Sequence, residues 1–158
     1  MYQAPADGSL SLDDALLALQ GLMAGEPDLV ANAANFSALV AGQFSDINWL
    51  GFYFLQEGEL VLGPFQGRPA CVRIPVGRGV CGTAVASGET QVVPDVHAFP
   101  GHIACDVASR SEVVVPLHRK GEIVGVLDVD SPLPDRFRPE DVQYLEHMAA
   151  EFCRLQFG

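Results

Sequence analysis

The stretch that decides the fold is residues 111–131, which read SEVVVPLHRKGEIVGVLDVDS. Two apolar runs rich in β-branched residues, Ser111 to Leu117 and Glu122 to Val129, lie on either side of the pair Lys120-Gly121. Runs of this composition around a glycine-containing turn predict a β-hairpin. Because hairpin strands run antiparallel, we expect a mostly antiparallel sheet.

Working outward, the chain predicts a second hairpin around Glu57-Gly58 and helices near both ends. Apolar residues at helical spacing, a capping Ser11 and prolines suited to a first helical turn support the helices. The expected elements are helices at 11–24, 27–43 and 139–156, strands at 49–55, 59–62, 71–74 and 91–93, and a turn leading to a short helix at 77–87. This order predicts an α+β fold, in one domain over residues 1–158, rather than a doubly wound parallel sheet.

The overall charge excludes several classes of function. The 158 residues carry a formal net charge of -11, which would repel phosphate backbones and anionic bilayers, so neither nucleic acid nor membrane is an expected partner. There is no basic leader and no apolar run of roughly 20 residues. We therefore expect a cytoplasmic protein whose four cysteines are held reduced.

The stretch from Pro94 to Arg110 is rich in Pro, Gly, His and Asp and predicts a long loop. Long loops in small domains tend to be functional. Cys105 lies in this loop, where a substrate can reach it, and reactive thiols are accessible and have low pKa values. Backbone N–H groups of Ile103 to Cys105 would stabilise a thiolate, whereas the neighbouring Asp106 would oppose it.

Two other patterns are weaker. Residues 77–82, GRGVCG, match a dinucleotide-binding motif, but the βαβ context that this motif requires is not predicted. His97 and His102 could form a zinc site with Cys71 and Cys81, although structural zinc sites usually have closely spaced cysteine pairs. We expect no metal and no organic cofactor.

Acidic and aromatic residues alternate along the predicted strands. Asp128 and Asp130 point to the same face of a strand, and Glu112 begins the neighbouring strand, so we expect the three carboxylates to converge. The alternative is a solvent-facing strand. Trp49 and Tyr53 share one face of another strand, either as core packing or as an apolar wall of a pocket.

A resemblance emerges from four segments, and it covers nearly the whole chain. The chain closely resembles the free methionine-(R)-sulfoxide reductases, which are GAF-domain enzymes. The resemblance implies a central sheet with the terminal helices on one face and a loop-covered ligand pocket on the other. The segments that carry it are GPFQG at 63–67, CVRIPVGRGVCG at 71–82, GHIACD at 101–106 and GVLDVDS at 125–131.

The resemblance also implies a role for each candidate residue. Cys105 matches the nucleophile, Cys71 the resolving cysteine and Cys81 a third cysteine that takes part in recycling. Glu112, Asp128 and Asp130 match the acids of the substrate pocket, and Trp49 and Tyr53 match aromatics around the substrate. Our own hypothesis is that Glu112 and Asp128 hold the ammonium group, that backbone N–H groups near Ile103, Ala104 and Cys105 hold the carboxylate, and that Asp130 protonates the sulfoxide oxygen.

The chemistry expected from these roles is the reduction of free methionine (R)-sulfoxide. Cys105 would become a sulfenic acid, Cys71 would convert it to a disulfide, and thioredoxin would reduce that disulfide. A homodimer is implied by the resemblance alone. Two rival functions stay open at this point, a GAF module that binds a small ligand and signals, and a redox sensor without a dedicated substrate.

Overall fold

The computed structural model describes residues 9–103, 105 and 107–158. The elements in chain order are helices α1 (Leu12–Met23) and α2 (Leu29–Ala41), strands β1 (Trp49–Gln56), β2 (Glu59–Gly67) and β3 (Arg73–Pro75), helix α3 (Gly79–Ser87), strand β4 (Gln91–Val93), a 3-10 turn (Val96–Ala98), strands β5 (Ser111–Arg119) and β6 (Glu122–Ser131), and helix α4 (Pro139–Phe157).

The two predicted hairpins are present and build the sheet. Each turns on a residue pair with positive φ at both positions, Glu57-Gly58 (49° and 83°) and Lys120-Gly121 (50° and 83°). Such turns match the right-handed twist of the strands that they join. The six strands lie in the order β3-β2-β1-β6-β5-β4 with every neighbouring pair antiparallel, which confirms the α+β prediction.

The first face of the sheet packs on the three long helices. Side chains alternate along a strand, so Leu50 and Phe52 of β1 and Leu127 and Val129 of β6 all face this layer. Phe52 lies at the centre of an aromatic cluster, with its ring centroid 5.2 Å from that of Phe36 and 4.9 Å from that of Phe152. This layer is the main hydrophobic core of the described residues.

Several element boundaries differ from the predictions, and the largest difference is in β2, which runs to Gly67 rather than ending at residue 62. Helix α2 begins at Leu29 because the Asp28 side chain accepts a hydrogen bond from Ala31 N (2.8 Å) and caps the helix, which leaves Pro27 before the first turn. Strand β3 covers only Arg73–Pro75 rather than 71–74, since the Cys71 carbonyl accepts a hydrogen bond from the Tyr53 hydroxyl (2.8 Å) instead of pairing in the sheet. No helix in the described part of the chain is long and apolar enough to cross a bilayer.

One glycine in β1 allows the second face of the sheet to form. A Cβ at Gly51 would lie 2.2 Å from Phe65 Cβ and 2.7 Å from Phe65 Cα on the paired strand β2. Contacts this short require backbone movement. Gly51 thus permits Phe65 to lie close to β1, where its ring stacks on Trp49 with centroids 5.1 Å apart.

We predict that Gly51→Ala lowers the free energy of unfolding by about 2–3 kcal/mol, because the added methyl group overpacks the β1–β2 pair. Gly21→Ala is the matched control, since nothing lies within 4 Å of its Cβ position in α1. The control should gain up to about 1 kcal/mol from helix propensity. Urea unfolding of the three proteins measures both effects, and equal midpoints for Gly51→Ala and wild type would contradict the packing argument.

Candidate active site

Three carboxyl groups meet on the second face of the sheet, where β1, β6 and β5 run side by side. In the strand register Asp130 is paired with Trp49 on one side and with Glu112 on the other. Asp128 lies two residues away on β6, between Gly51 and Val114. The three acids are buried, with Glu112 7%, Asp128 6% and Asp130 8% exposed. The predicted convergence is confirmed, and the acids do not face solvent.

Helix α3 and the loop from Pro94 to Arg110 cover these acids. The loop is tied at its base by hydrogen bonds from Val96 N to Arg110 O and from Arg110 N to Ser131 O, both 2.7 Å long. A cavity of about 40 Å³ remains beneath this cover. Its walls come from the sheet, from α3 and from the loop: Trp49, Tyr53, Ala70, Ile74, Arg78, Gly79, Val80, Cys81, His102, Ile103, Cys105, Ser109, Glu112, Asp128 and Asp130.

A disulfide joins Cys71 to Cys105 at this cavity, with their Cα atoms 5.3 Å apart. Both cysteines are half-buried, so a reagent from solvent can reach the bond. The Tyr53 hydroxyl holds the Cys71 carbonyl, as described above. The Cys105 N–H donates to the Ile103 carbonyl (3.0 Å) in this disulfide-bonded form. The predicted backbone site at 103–105 includes Ala104, which lies outside the described residues, as does Asp106.

Because they are buried, Glu112 and Asp128 retain a proton more readily than free carboxyl groups do. Burial raises the pKa of Glu112 well above its usual value, and the nearby charges of Asp128 and Asp130 raise it further. Burial also raises the pKa of Asp128, although hydrogen bonds from Glu112, Cys81 and Asp130 oppose that rise. A proton is therefore retained within the cluster at a pH where an exposed carboxyl would have lost it.

Cys81 lies at the edge of the same cluster. Its thiol is buried on α3, and its sulfur and one oxygen each of Glu112 and Asp128 all lie within 4.8 Å of one another. Burial raises the pKa of this thiol well above its usual value, and the charges of Asp128, Glu112 and Asp130 add to the effect. Cys81 is thus held as a neutral thiol, in contrast to the bonded Cys71 and Cys105. Cys153 belongs to the helix-packed core.

The aromatic pair forms one wall of the cavity. The rings of Trp49 and Tyr53 are stacked with centroids 5.9 Å apart, and Phe65 covers the other side of Trp49. The indole N–H donates to the Arg68 carbonyl (3.2 Å), so both polar groups of the pair are satisfied on protein atoms. The wall therefore presents ring surface to the cavity, and both rings also pack in the buried apolar cluster on this face of the sheet.

The two weaker motifs have other structural roles. The sheet contains no parallel βαβ unit among the described residues, and the glycines at 77–82 build a tight turn in which Gly77 N donates to Gly82 O (2.9 Å). The zinc alternative required Cys71 as a ligand, but its sulfur is bonded to Cys105. His97 and His102 lie edge to face, with ring centroids 6.5 Å apart.

Some cavity residues were not predicted as site residues. Arg78, at the start of α3, and Ser109 reach the cavity through contacts between distant parts of the chain. His102 was considered only as a metal ligand, yet it lines the cavity, and its Nδ1 is buried without a hydrogen-bond partner among the described residues. Burial lowers the pKa of His102, and the nearby His97 lowers it further.

Comparison with known proteins places this site in a family. The sequence profile of the GAF domain matches residues 13–154. The fold and this match define a GAF domain. The chain is also 59% identical over 134 residues to the free methionine-R-sulfoxide reductase of Escherichia coli, covering 85% of this chain and 81% of that protein.

Two solved structures extend the similarity. The fRMsr of Staphylococcus aureus in its reduced form has a TM-score of 0.89 at 45% identity and 99% coverage of both chains. The free methionine-R-sulfoxide reductase from Neisseria meningitidis, in complex with its substrate, has a TM-score of 0.88 at 44% identity, covering 99% of this chain and 93% of that one. The chain belongs to the GAF-domain family and, within it, to the free methionine-R-sulfoxide reductases.

We predict that Glu112→Gln changes how stability depends on pH. A carboxyl whose pKa is raised by folding stabilises the native state below its unfolded value of about 4.5, and that contribution is lost as pH rises toward the folded value. Glutamine does not titrate, so the variant should become progressively more stable relative to wild type between pH 5 and pH 8.

The control for this experiment is Glu122→Gln at the exposed start of β6. Thermal unfolding of the three proteins across the pH range measures the difference. A Glu112→Gln stability difference that stays constant with pH would show that burial of this carboxyl does not perturb its titration.

Proposed function

We propose that this protein reduces free L-methionine-(R)-sulfoxide to methionine by cysteine chemistry. The observation that carries the proposal is the Cys71–Cys105 disulfide at a cavity floored by three buried acids. The disulfide is the oxidised product expected of such a reaction. The names of the Escherichia coli and Neisseria meningitidis relatives support the same substrate.

The acid cluster is suited to the ammonium group of a free amino acid. Asp128 Oδ1 is buried and has no hydrogen-bond partner among the described residues, so it offers an acceptor to an incoming N–H donor. Glu112 lies beside it and can provide the second charge. A methionine inside a polypeptide has no ammonium group at this position, and burying the acids against a neutral amide would be unfavourable. The site should therefore select the free amino acid.

The sulfoxide end of the substrate is placed between the aromatic wall and Asp130. Trp49 and Tyr53 would contact the methyl group, and the backbone around Ile103 and Ala104 would bind the carboxylate. Asp130 would donate a proton to the sulfoxide oxygen. Because the Glu112 carboxyl hydrogen-bonds to Asp130 and readily retains a proton, it can return a proton to Asp130 after each turnover.

The reaction is a two-electron transfer. The Cys105 thiolate attacks the sulfoxide sulfur, the sulfur–oxygen bond of the substrate breaks, and the oxygen leaves on Cys105 as a sulfenic acid while methionine departs. The Cys71 thiol then attacks this sulfur, a disulfide forms and water is released. Thioredoxin reduces the disulfide by thiol exchange. Cys81 takes a secondary part in recycling, because its buried thiol resists deprotonation.

The setting that fits this cycle is the cytoplasm, where a dithiol protein is available as the reductant and where free cysteines stay reduced. A homodimer is also proposed. Leu17 of α1 and Val30 of α2 are 64% and 63% exposed and provide apolar surface on the helices for a second copy. Sedimentation of the reduced protein measures this association.

A substrate panel tests the proposed function. The full chain is incubated with thioredoxin, thioredoxin reductase and NADPH, and then with free methionine (R)-sulfoxide, free methionine (S)-sulfoxide or a peptide containing methionine sulfoxide. We expect rapid NADPH consumption only with the free R form, because the acids recognise its ammonium group and Asp130 faces one epimer.

Cysteine variants provide the controls for the panel. Cys105→Ser should lower methionine formation by roughly three orders of magnitude or more, since it removes the nucleophile. Cys153→Ser, which changes a cysteine of the helix-packed core, should keep the activity. Oxidation of the cysteines by peroxide with no response to any sulfoxide would favour a redox sensor, and binding of methionine sulfoxide without turnover would favour a ligand-binding module.

Replacing Asp130 by Asn tests the assigned proton donor. The variant should lose about 100-fold in kcat at neutral pH while KM for methionine sulfoxide changes little, because general acid catalysis acts on the chemical step. Glu122→Gln serves again as a surface control. Full activity of Asp130→Asn at neutral pH would move the donor role to another group.

A further inference from the structure

Exposed apolar side chains collect around the Cys71–Cys105 disulfide. Val72 follows Cys71 and is 60% exposed, and Val107 lies two residues after Cys105 and is 86% exposed. Since the two cysteine Cα atoms are 5.3 Å apart, chain geometry places the Cα atoms of Val72 and Val107 within roughly 17 Å of each other. Val76, also exposed, lies further along the same segment. Apolar surface beside a reactive bond indicates contact with another molecule.

Two exposed arginines lie close in sequence to Cys71 in a chain that is acidic overall. The protein has only nine Lys and Arg residues and a net charge of -11. Two of the nine, Arg68 and Arg78, lie within seven residues of Cys71, and Arg78 lines the same cavity as Cys105. Both are exposed and form no ion pair with any other residue in the described ranges.

Two further arginines near the disulfide, Arg73 and Arg110, are ion-paired. Arg73 contributes less to this local charge, because its guanidinium is 2.6 Å from Glu59. On the loop that carries Cys105, Asp95 lies 3.8 Å from Arg110. The positive charge that remains available to a partner is therefore that of Arg68 and Arg78.

We propose that Val72, Val76, Val107, Arg68 and Arg78 form a docking surface for a small acidic protein dithiol of the thioredoxin type. This proposal rests on the proposed function in one respect, namely that the disulfide forms during the reduction of a sulfoxide. The docking surface itself does not depend on which sulfoxide is reduced. An acidic rim on the partner would complement the two arginines, and an apolar area around its thiol would cover the valines. An anionic bilayer also combines negative charge with apolar groups, but it cannot supply the two electrons that the disulfide needs.

The docked reaction is a thiol–disulfide exchange. A thiolate of the partner attacks the sulfur of Cys71, the Cys71–Cys105 bond breaks, and Cys105 leaves as a thiolate. The second thiol of the partner loses its proton and attacks the mixed disulfide, which releases Cys71. The partner is oxidised to a disulfide, this chain gains two electrons, Cys71 takes up the proton lost by the partner's second thiol, and Cys105 remains a thiolate ready for the next turnover.

Single-step reduction of the oxidised full chain tests the surface without any sulfoxide substrate. The rate of disulfide reduction is measured with thioredoxin, kept reduced by its reductase and NADPH, and separately with dithiothreitol, at low and high ionic strength. Arg68→Glu should lower the thioredoxin rate about tenfold at low ionic strength and weaken its salt dependence. Val72→Ser should lower it about threefold at both ionic strengths. The dithiothreitol rates should stay within about twofold of wild type.

Matched controls lie far from the disulfide. Arg119→Glu makes the same charge reversal on β5, and Val92→Ser removes an exposed valine (48%) on β4, at the opposite edge of the sheet from β3. Neither should change the thioredoxin rate. The proposal is overturned if the control variants show the same losses, if dithiothreitol reduction falls in parallel, or if thioredoxin does not reduce the wild-type disulfide. If the disulfide-reduction rates are as expected but the substrate panel shows no turnover, only the assignment of methionine sulfoxide as the substrate is wrong.

Discussion

The antiparallel register of β1, β6 and β5 is the constraint on which the molecule depends. It directs Leu127 and Val129 into the helix-packed core and, by the same alternation, directs Asp128 and Asp130 to the opposite face beside Glu112. A shift of one residue would exchange the two sets and bury carboxyls in the main core. The tight turn at Lys120-Gly121 fixes the pairing of β5 with β6, and the turn at Glu57-Gly58 fixes that of β1 with β2.

Burying three acids lowers the stability of the fold. The two faces of the sheet therefore contribute differently to stability. The helix face supplies a continuous apolar layer, with Phe36, Phe52 and Phe152 packed edge to face or tilted against one another. The other face is covered only by α3 and the tied loop. Its acid cluster retains a proton. A buried cluster that keeps a proton and leaves Asp128 Oδ1 without a partner among the described residues lowers stability, and it is the feature on which the proposed ammonium site rests.

Features set by local chemistry could be predicted from the sequence, and those set by distant contacts could not. The glycine turns, the Ser11 cap and the shared direction of Asp128 and Asp130 follow from neighbouring residues. The hydrogen bond from the Tyr53 hydroxyl to the Cys71 carbonyl, which shortens β3, could not be predicted from the sequence because it joins separate segments of the chain. The positions of Arg78 and Ser109 in the cavity wall likewise depend on contacts between separate segments. Three loop cysteines allow several pairings across the 34-residue separation, so the partner of Cys105 came from the family resemblance alone.

The disulfide has a consequence for the order of events in a catalytic cycle. In the oxidised form the Cys105 sulfur is bonded to Cys71, so it has no thiol that could attack a second sulfoxide molecule. The disulfide-bonded form therefore cannot turn over again until it has been reduced. Under the proposed function, the sulfoxide would react with the reduced protein and the reductant with the oxidised protein, in alternation, which is a ping-pong scheme.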